Sequence, residues 1–396
     1  MSTRVLAGVT VVDLTRVMSG PYCTLMLADM GARVVKIEHP QRGDDTRAWG
    51  PPFVNGESVY FLSVNRNKES LTLDFKRPEG RRILDRLLEG ADVLVENFRP
   101  GTLARLGLDY RSIAPRHPRL VYASISGYGQ TGPLRELAGY DAVAQAEGGL
   151  MSITGDPDGP PFRLGLPIVD LVSGLFAGQG ILVALLARGV SGQGQYVDIA
   201  MQDAVAALLT YQAAGSLATG DNPPRMGNAH ESIVPYGTFD ASDGLLMLAV
   251  GNDDQFRRFS DAVGAPELAS DARFATNPQR VAHRGVLLPL LAPLLRRRAR
   301  GEWTRVLRAA GVPCGAVRTI GEMLADPQLA ARDMIATVVH PTAGALRLVG
   351  SPVRLSGAAR RADHAAPALG EHTDAILGEL GLSADDIGAL RHRGVV

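Results

Sequence analysis

Two apolar runs near the start of the chain, VTVVDL (residues 9–14) and ARVVKIE (32–38), flank a helix-length segment opened by Gly20 and Pro21. That order is a strand–helix–strand unit, with proline tolerated in the first helical turn. The pattern recurs in SLTLDF, a helix over Pro78 to Glu89, ADVLVENF and LVYASISGYG. Strands apolar on both sides and alternating with helices predict a largely parallel sheet with helices on its faces. The longest apolar stretch predicts a core helix over Leu171–Leu186 after a turn at Pro167, with Asp170 at the half-in first position that carboxylates favour. Past Asp221 the polar connection NPPRMGNAH leads into shorter alternating runs, PYGTF and LLMLAV, and then helices through Arg308. This texture predicts a large domain over 1–220 and a smaller one over 225–320. Apolar strands resume in VPCGAV and LRLVG, followed by a helix over Thr373–Leu380 and another after Ser383. Periodicity leaves open which domain residues 321–396 join.

Composition narrows the class. Lys+Arg and Asp+Glu each number 41 in 396 residues, so no net field recruits nucleic acid or an anionic membrane. The N-terminus lacks the charged, apolar and small-residue order of a secretory signal. The run Leu175–Leu186 is broken by Gly178, Gln179 and Gly180 and is too short to span a bilayer, so a cytoplasmic protein is expected. Two cysteines, Cys23 and Cys314, are too few for a disulfide framework, and eight histidines in no HxH or HxxxH spacing predict no metal site.

The candidate chemistry centres on Asp170, a lone carboxylate with no basic residue from Leu164 to Ala187 to pair with it. A buried carboxylate without a partner is costly, so a helix cap or a functional role must account for it, and the two are compatible. A dinucleotide site with Glu38 on a ribose is the alternative that the alternating pattern suggests. The first strand–helix turn, however, reads TRVMSGP rather than GxGxxG, which removes the pyrophosphate cradle.

Several strings, in order and with their spacing, resemble the family III CoA-transferases of the CaiB/BaiF type: GPYCTLMLADMGARVVKIEHPQRGDDTR, NRNKESLTLDF, ENFRPGTLARLGLDY, SGQGQYVDIAMQDAV, GVPCGAV, DPQLAARDM and GEHTDAILGELGLSADDIGAL. The resemblance runs from Gly8 to Val396. It implies a Rossmann-like large domain built from both chain ends, a small inserted α+β domain, and an interlocked homodimer. It also implies that Asp170 is the nucleophile of a CoA transfer between an acyl-CoA and a free carboxylic acid, passing through an aspartyl anhydride and an aspartyl-CoA thioester. An anhydride stays about as activated as a thioester, whereas a serine ester would be a comparatively stable trap. Coenzyme A is then a cosubstrate, and neither a metal nor a redox cofactor is required.

Carried over residue by residue, the resemblance assigns Val17, Met18, His39, Leu73, Asn97, Phe98, Arg105 and Tyr140 to the CoA site and Asp141 to a second carboxylate near the nucleophile. Gly148, Gly149, Gly155, Gly159 and Gly165 are candidates for tight turns and oxyanion donors. The chain departs from relatives in several places. Tyr140 stands where the racemase branch has its histidine, which makes 2-methylacyl-CoA racemisation the alternative activity, since a phenol is a poor base at neutral pH. Met18 replaces the glutamine of oxalate-using relatives, GNAHESIVP replaces a glycine-rich lid, and both argue against oxalate. His39 stands where a more basic residue is expected. His230 is a candidate ligand for the distal carboxylate of a dicarboxylyl group, which points to succinyl-CoA or a similar donor. A non-catalytic acyl-CoA-binding protein is the remaining alternative.

Overall fold

Val11 and Val12 point to opposite sides of strand β1 (Thr10–Asp13), and both are fully buried, as are Val34 and Val35 of β2 (Arg33–Glu38) and Val93 and Leu94 of β4 (Val93–Glu96). Successive strand residues face opposite ways, so these strands are covered on both faces. With β3 (Lys68–Thr72), β5 (Val121–Ser126) and β6 (Tyr196–Ala200) they form a parallel sheet of order β3-β2-β1-β4-β5-β6 in the computed structural model, which describes residues 4–358 and 364–396. That strand order is the doubly wound one.

On one face Val12, Val35 and Leu94 pack with Ile83, Leu84 and Leu88 of α2 (Pro78–Glu89) and with the C-terminal helices α6 (Thr373–Glu379) and α7 (Ala384–His392), through Ile376, Leu377, Ile387 and Leu390. On the other, Val11, Val34 and Val93 pack with Cys23 and Leu27 of α1 (Ser19–Asp29) and with Ala177, Ile181 and Ala184 of α4 (Ile168–Ser191). Two shorter helices, α3 (Asp141–Glu147) and α5 (Met201–Leu208), follow β5 and β6.

The expected helix over Leu171–Leu186 is longer than its apolar run: α4 has 24 residues and begins at Ile168, with Pro167 before it and no side-chain cap of its own. Asp170 therefore lies in the first turn rather than at the half-in position. By length and composition α4 is apolar enough to cross a bilayer, contrary to the reading of its core run as too short, yet it packs against the sheet and α1.

The chain divides into two compact units. The sheet belongs to a unit made of the chain up to Leu150 together with Arg163–Asp221 and Pro327–Val396, so the C-terminal return joins it. The return is stitched along β3: the Asn67 N–H donates to the His364 carbonyl (3.2 Å), the His372 N–H to the Ser70 carbonyl (3.0 Å), and the Thr72 N–H to Thr373 Oγ1 (3.1 Å). A hairpin, Ile335–His340 with Gly344–Val349, stands apart from the main sheet within this unit.

The second unit comprises Met151–Phe162 and Asn222–Asp326. Its three-stranded antiparallel sheet (Tyr236–Ala241, Gly244–Ala249, Cys314–Ala316) is covered by helices that contribute Phe256, Phe259, Leu287, Leu291, Trp303 and Leu307 to its core. The segment Met151–Phe162, expected in the large domain, is bound to this unit instead: Arg225 donates to the carbonyls of Asp156 (3.2 Å) and Gly159 (2.8 Å), and the Gly227 N–H to Gly155 (3.0 Å).

Candidate active site

In a doubly wound sheet the connections from the two central strands leave in opposite directions and open a crevice at the carboxyl ends of the strands. Here those strands are β1 and β4. The segments that leave the sheet at this end are Arg16–Ser19 after β1, Asn97–Pro100 after β4, and Ser126 and Gly127 at the end of β5. Two close approaches complete the walls. A Cβ on Gly127 would lie 2.6 Å from the Gly139 Cα, so the absence of side chains lets the stretch carrying Tyr140 and Asp141 cross the sheet end. A Cβ on Gly174 would lie 2.6 Å from the Ser19 carbonyl, so glycine lets α4 settle directly on the start of α1 and brings Asp170 beside Ser19.

The result is a cavity of about 330 Å³ whose lining includes Val17, Asn97, Phe98, Tyr140, Asp141 and Asp170. Six of the expected residues are thus brought together from segments more than 150 positions apart. Phe98 also lines an adjoining cavity of about 50 Å³ with Leu73, His39, Arg42 and Lys76. His39 is therefore accompanied by four basic residues, Arg16, Lys36, Arg42 and Lys76, where a single basic residue was expected in its place. Arg16 borders both cavities, and its guanidinium lies 4.8 Å from the centre of the Phe98 ring, within cation–π range.

Two assignments fall outside these cavities, and a third belongs to the other unit. The Met18 side chain is buried against Leu25 and Val64, because the turn at Val17 directs it into the packing around α1. Arg105 sits on an exposed 3-10 turn and bonds only weakly to Thr102 Oγ1, at 3.5 Å. His230 belongs to the second unit, where its ring meets Tyr236 edge-on at 5.2 Å and its Nδ1 accepts the Ser232 N–H at 3.0 Å. Of the five glycines offered as oxyanion donors, none lines the cavity containing Asp170.

The electrostatics single out Asp170. Burial foremost, and then the neighbouring Asp141 charge, push its carboxyl up to about 7, against a hydrogen bond from Ser19 that favours the anion. Both carboxylate oxygens of Asp141 accept hydrogen bonds. Its Oδ2 accepts the backbone N–H of Val169 (2.8 Å) and of Asp170 (3.2 Å), and its Oδ1 accepts from Gln145 Nε2 (2.5 Å). It is the cap that α4 lacks, supplied from another helix, and the α4 N-terminus in turn favours the negative charge of Asp141. Tyr60 senses the same acidic cluster: its phenol is pushed up to about 12 by burial and by the charges of Asp170, Asp44 and Asp141.

The turn between β1 and α1 is braced on both sides. Asn97 Oδ1 accepts the Arg16 N–H (2.9 Å), its Nδ2 donates to the Arg16 carbonyl (2.7 Å), and Asp44 Oδ1 accepts the Val17 N–H (3.3 Å). Asn97 thus shapes the wall of the cavity. Glu96, just before it, is pushed up to about 7 by burial while accepting from Ser124 and from the Phe98 N–H (2.8 Å). Cys23 is fully buried and its thiol is pushed up to about 12, which makes it a packing residue. Among the described residues no group of three His, Cys, Asp or Glu side chains is arranged to hold a metal ion.

Ser19, Asp44, Tyr60 and Gln145 were not legible as site residues. The run SGP around Ser19 reads as a helix start, which it is, and nothing in the local pattern marks its hydroxyl as a partner of a residue 151 positions away.

The family model for CoA-transferase family III matches residues 6–373. A succinate–glutarate CoA-transferase from Agrobacterium fabrum is 42% identical over 381 residues, covering 95% of each chain. An acetyl-CoA:oxalate CoA-transferase from Acetobacter aceti is 43% identical, over 88% of this chain and 89% of that one. Among solved structures, a CaiB/BaiF family protein from Brucella suis superposes with a TM-score of 0.86 at 43% identity, covering 95% of this chain and 99% of that one.

Proposed function

The chain belongs to CoA-transferase family III, and from that premise we propose that it moves coenzyme A between two dicarboxylic acids with Asp170 as the covalent carrier. The observation that carries the assignment is the Asp170 carboxylate at the start of α4, lining the cavity, hydrogen-bonded by Ser19 and pushed up to about 7.

Asp170 attacks the thioester carbonyl; the C–S bond breaks, CoA leaves as thiolate, and a mixed anhydride remains. The thiolate then attacks the aspartyl carbon of that anhydride, which expels the donor acid as a carboxylate and leaves an aspartyl-CoA thioester. The acceptor carboxylate attacks this thioester and again displaces the thiolate. Finally the thiolate takes the acceptor's acyl carbon from the new anhydride, giving the product acyl-CoA and free Asp170. Bonds balance over the four steps, and no proton or electron is gained or lost.

Burial serves this sequence directly. The environment that penalises the Asp170 anion does not penalise its neutral acyl forms, so the same desolvation that raises the pKa favours acylation. Asp141 holds the peptide of Asp170 and Ser19 orients its carboxylate, so the nucleophile is aimed before substrate arrives.

Relatives that act on succinate and glutarate support dicarboxylic substrates, and the sequence departures at Met18 and GNAHESIVP speak against oxalate. The exposed apolar stripe of α4, Val183, Leu186 and Val190, supports a homodimer. The test is to incubate the protein with succinyl-CoA and hydroxylamine and map the product by mass spectrometry. A hydroxamate at Asp170, with Asp170→Asn inactive in succinyl-CoA:glutarate exchange, is the expected result. An unmodified Asp170 together with a fully active Asp170→Asn variant overturns the proposal. Exchange with a monocarboxylic acceptor in preference to glutarate overturns the substrate class alone, and a preference for oxalate overturns only the argument against oxalate.

A further inference from the structure

Val17 has φ 68°, in the left-handed region. A β-branched residue there is a genuine outlier, disfavoured by roughly ten-fold relative to the right-handed region, and such outliers persist only where their surroundings impose them. The turn lies in the wall of the cavity that holds Asp170 and delivers Ser19 to it two residues later.

What imposes the conformation is a buried pair of charges that also borders the adjoining cavity. Asp44 Oδ1 accepts the Val17 N–H at 3.3 Å, and Asp44 Oδ2 accepts from Lys36 Nζ at 2.9 Å. The same ammonium donates to the Thr15 carbonyl at 2.9 Å, so the pair grips the turn on both sides of Arg16. The side chains of Lys36 and Asp44 are 0% and 1% exposed. Burial of an ion pair this deep is weak evidence for stability, since an apolar pair of similar volume often serves as well, so its presence calls for another reason. Thr46 supplies the rest of the cradle, donating to Asp44 Oδ1 through its N–H (3.0 Å) and its hydroxyl (2.8 Å).

We propose that Lys36 and Asp44 are positioning residues for the transfer reaction, holding Val17 in its left-handed conformation so that Ser19 meets Asp170. This rests on the CoA-transfer reading above. Without the pair, valine relaxes to the right-handed region and takes the Ser19 hydroxyl off line. Glycine populates both signs of φ about equally, so it neither strains the turn nor depends strongly on the tether.

The test is a double-mutant cycle on succinyl-CoA:glutarate exchange, comparing Lys36→Met/Asp44→Ala in the parent and in a Val17→Gly background. The pair substitution is expected to lower kcat by roughly ten-fold in the parent, with KM for succinyl-CoA changed by less than about three-fold, and to lower it only about two-fold beside Val17→Gly. Equal losses in both backgrounds, with thermal melting showing all four proteins folded, overturn the inference, as does no loss in either. If the pair substitution does not fold, Asp44→Asn in the same two backgrounds is read by the same ratio of losses. A parent that exchanges no CoA and gives no Asp170 hydroxamate overturns the transfer reading itself, and the positioning role with it; equal losses on an active parent remove the positioning role alone.

Discussion

Asp141 Oδ2 accepts the backbone N–H of Asp170 at 3.2 Å. The second carboxylate of the site therefore holds the peptide of the first, while its charge raises the pKa of the first. One side chain both holds the Asp170 peptide in place and restrains the ionisation of its carboxyl.

Those two effects separate on substitution. Asp141→Asn keeps an acceptor for the α4 amides and removes the charge, so the pH profile of single-turnover acylation by succinyl-CoA is expected to move to lower pH with the acylation plateau largely retained. Asp141→Ala loses the cap as well, which destabilises by about 1 kcal/mol and lowers the plateau. Rapid-quench acylation across pH reads both.

Asp170 itself makes stability depend on pH. Its folded pKa, about 7, lies above its ordinary value of 3.8, so the folded state binds the extra proton. Stability is fully present below about pH 4 and falls as pH rises through 7. Asp170→Asn removes that loss and is expected to be more stable than the parent at pH 8 by on the order of 2–4 kcal/mol, with little difference at pH 4. Glu96 titrates in the same range but is common to both proteins, so the difference in urea midpoints isolates Asp170.

Ser19→Ala removes the hydroxyl that favours the Asp170 anion. A hydrogen bond to a charged group is worth about 1.5–3 kcal/mol, so acylation at neutral pH is expected to slow by about ten- to a hundred-fold and its pH profile to shift upward. A shift downward would contradict the assigned role of Ser19.

Gly174→Ala places a methyl group 2.6 Å from the Ser19 carbonyl. Relieving that clash separates α4 from α1, at about 1–3 kcal/mol, and withdraws Asp170 from Ser19. A lowered Tm accompanied by loss of Asp170 acylation is the expected pair of results.

The exposed stripe of α4 is tested by sedimentation. The protein is expected to sediment as a dimer, and Leu186→Asp/Val190→Asp to weaken or abolish that association, since burying unpaired carboxylates in an apolar contact is costly.

The sheet was legible because runs such as VTVVDL and ARVVKIE are apolar on both faces, which only a strand covered by helices on each side satisfies. The position of Asp170 was legible as an anomaly, a carboxylate in an apolar run without a local partner. Its partners were not. Asp141 stands 29 positions before it and caps α4 from outside, so the start of α4 carries no local cap signal and its first turn was set three residues too late. Likewise, the sequence around Val17 shows no glycine where the backbone adopts a left-handed conformation, because the tether that enforces it comes from Asp44. Met18 was assigned by resemblance to a family motif, and the left-handed turn at Val17 sets its side chain into the packing around α1.

The stitching of residues 364–373 along β3 has a consequence for synthesis on the ribosome. While the chain is being made, β3 offers a bare outer edge until that return segment has emerged, an interval of nearly 300 residues. An uncovered edge strand is a template for unwanted pairing between nascent chains. A premature stop ahead of Gly370 would therefore do more than shorten the protein: it would leave that seam open and strip α6 and α7 from one face of the sheet.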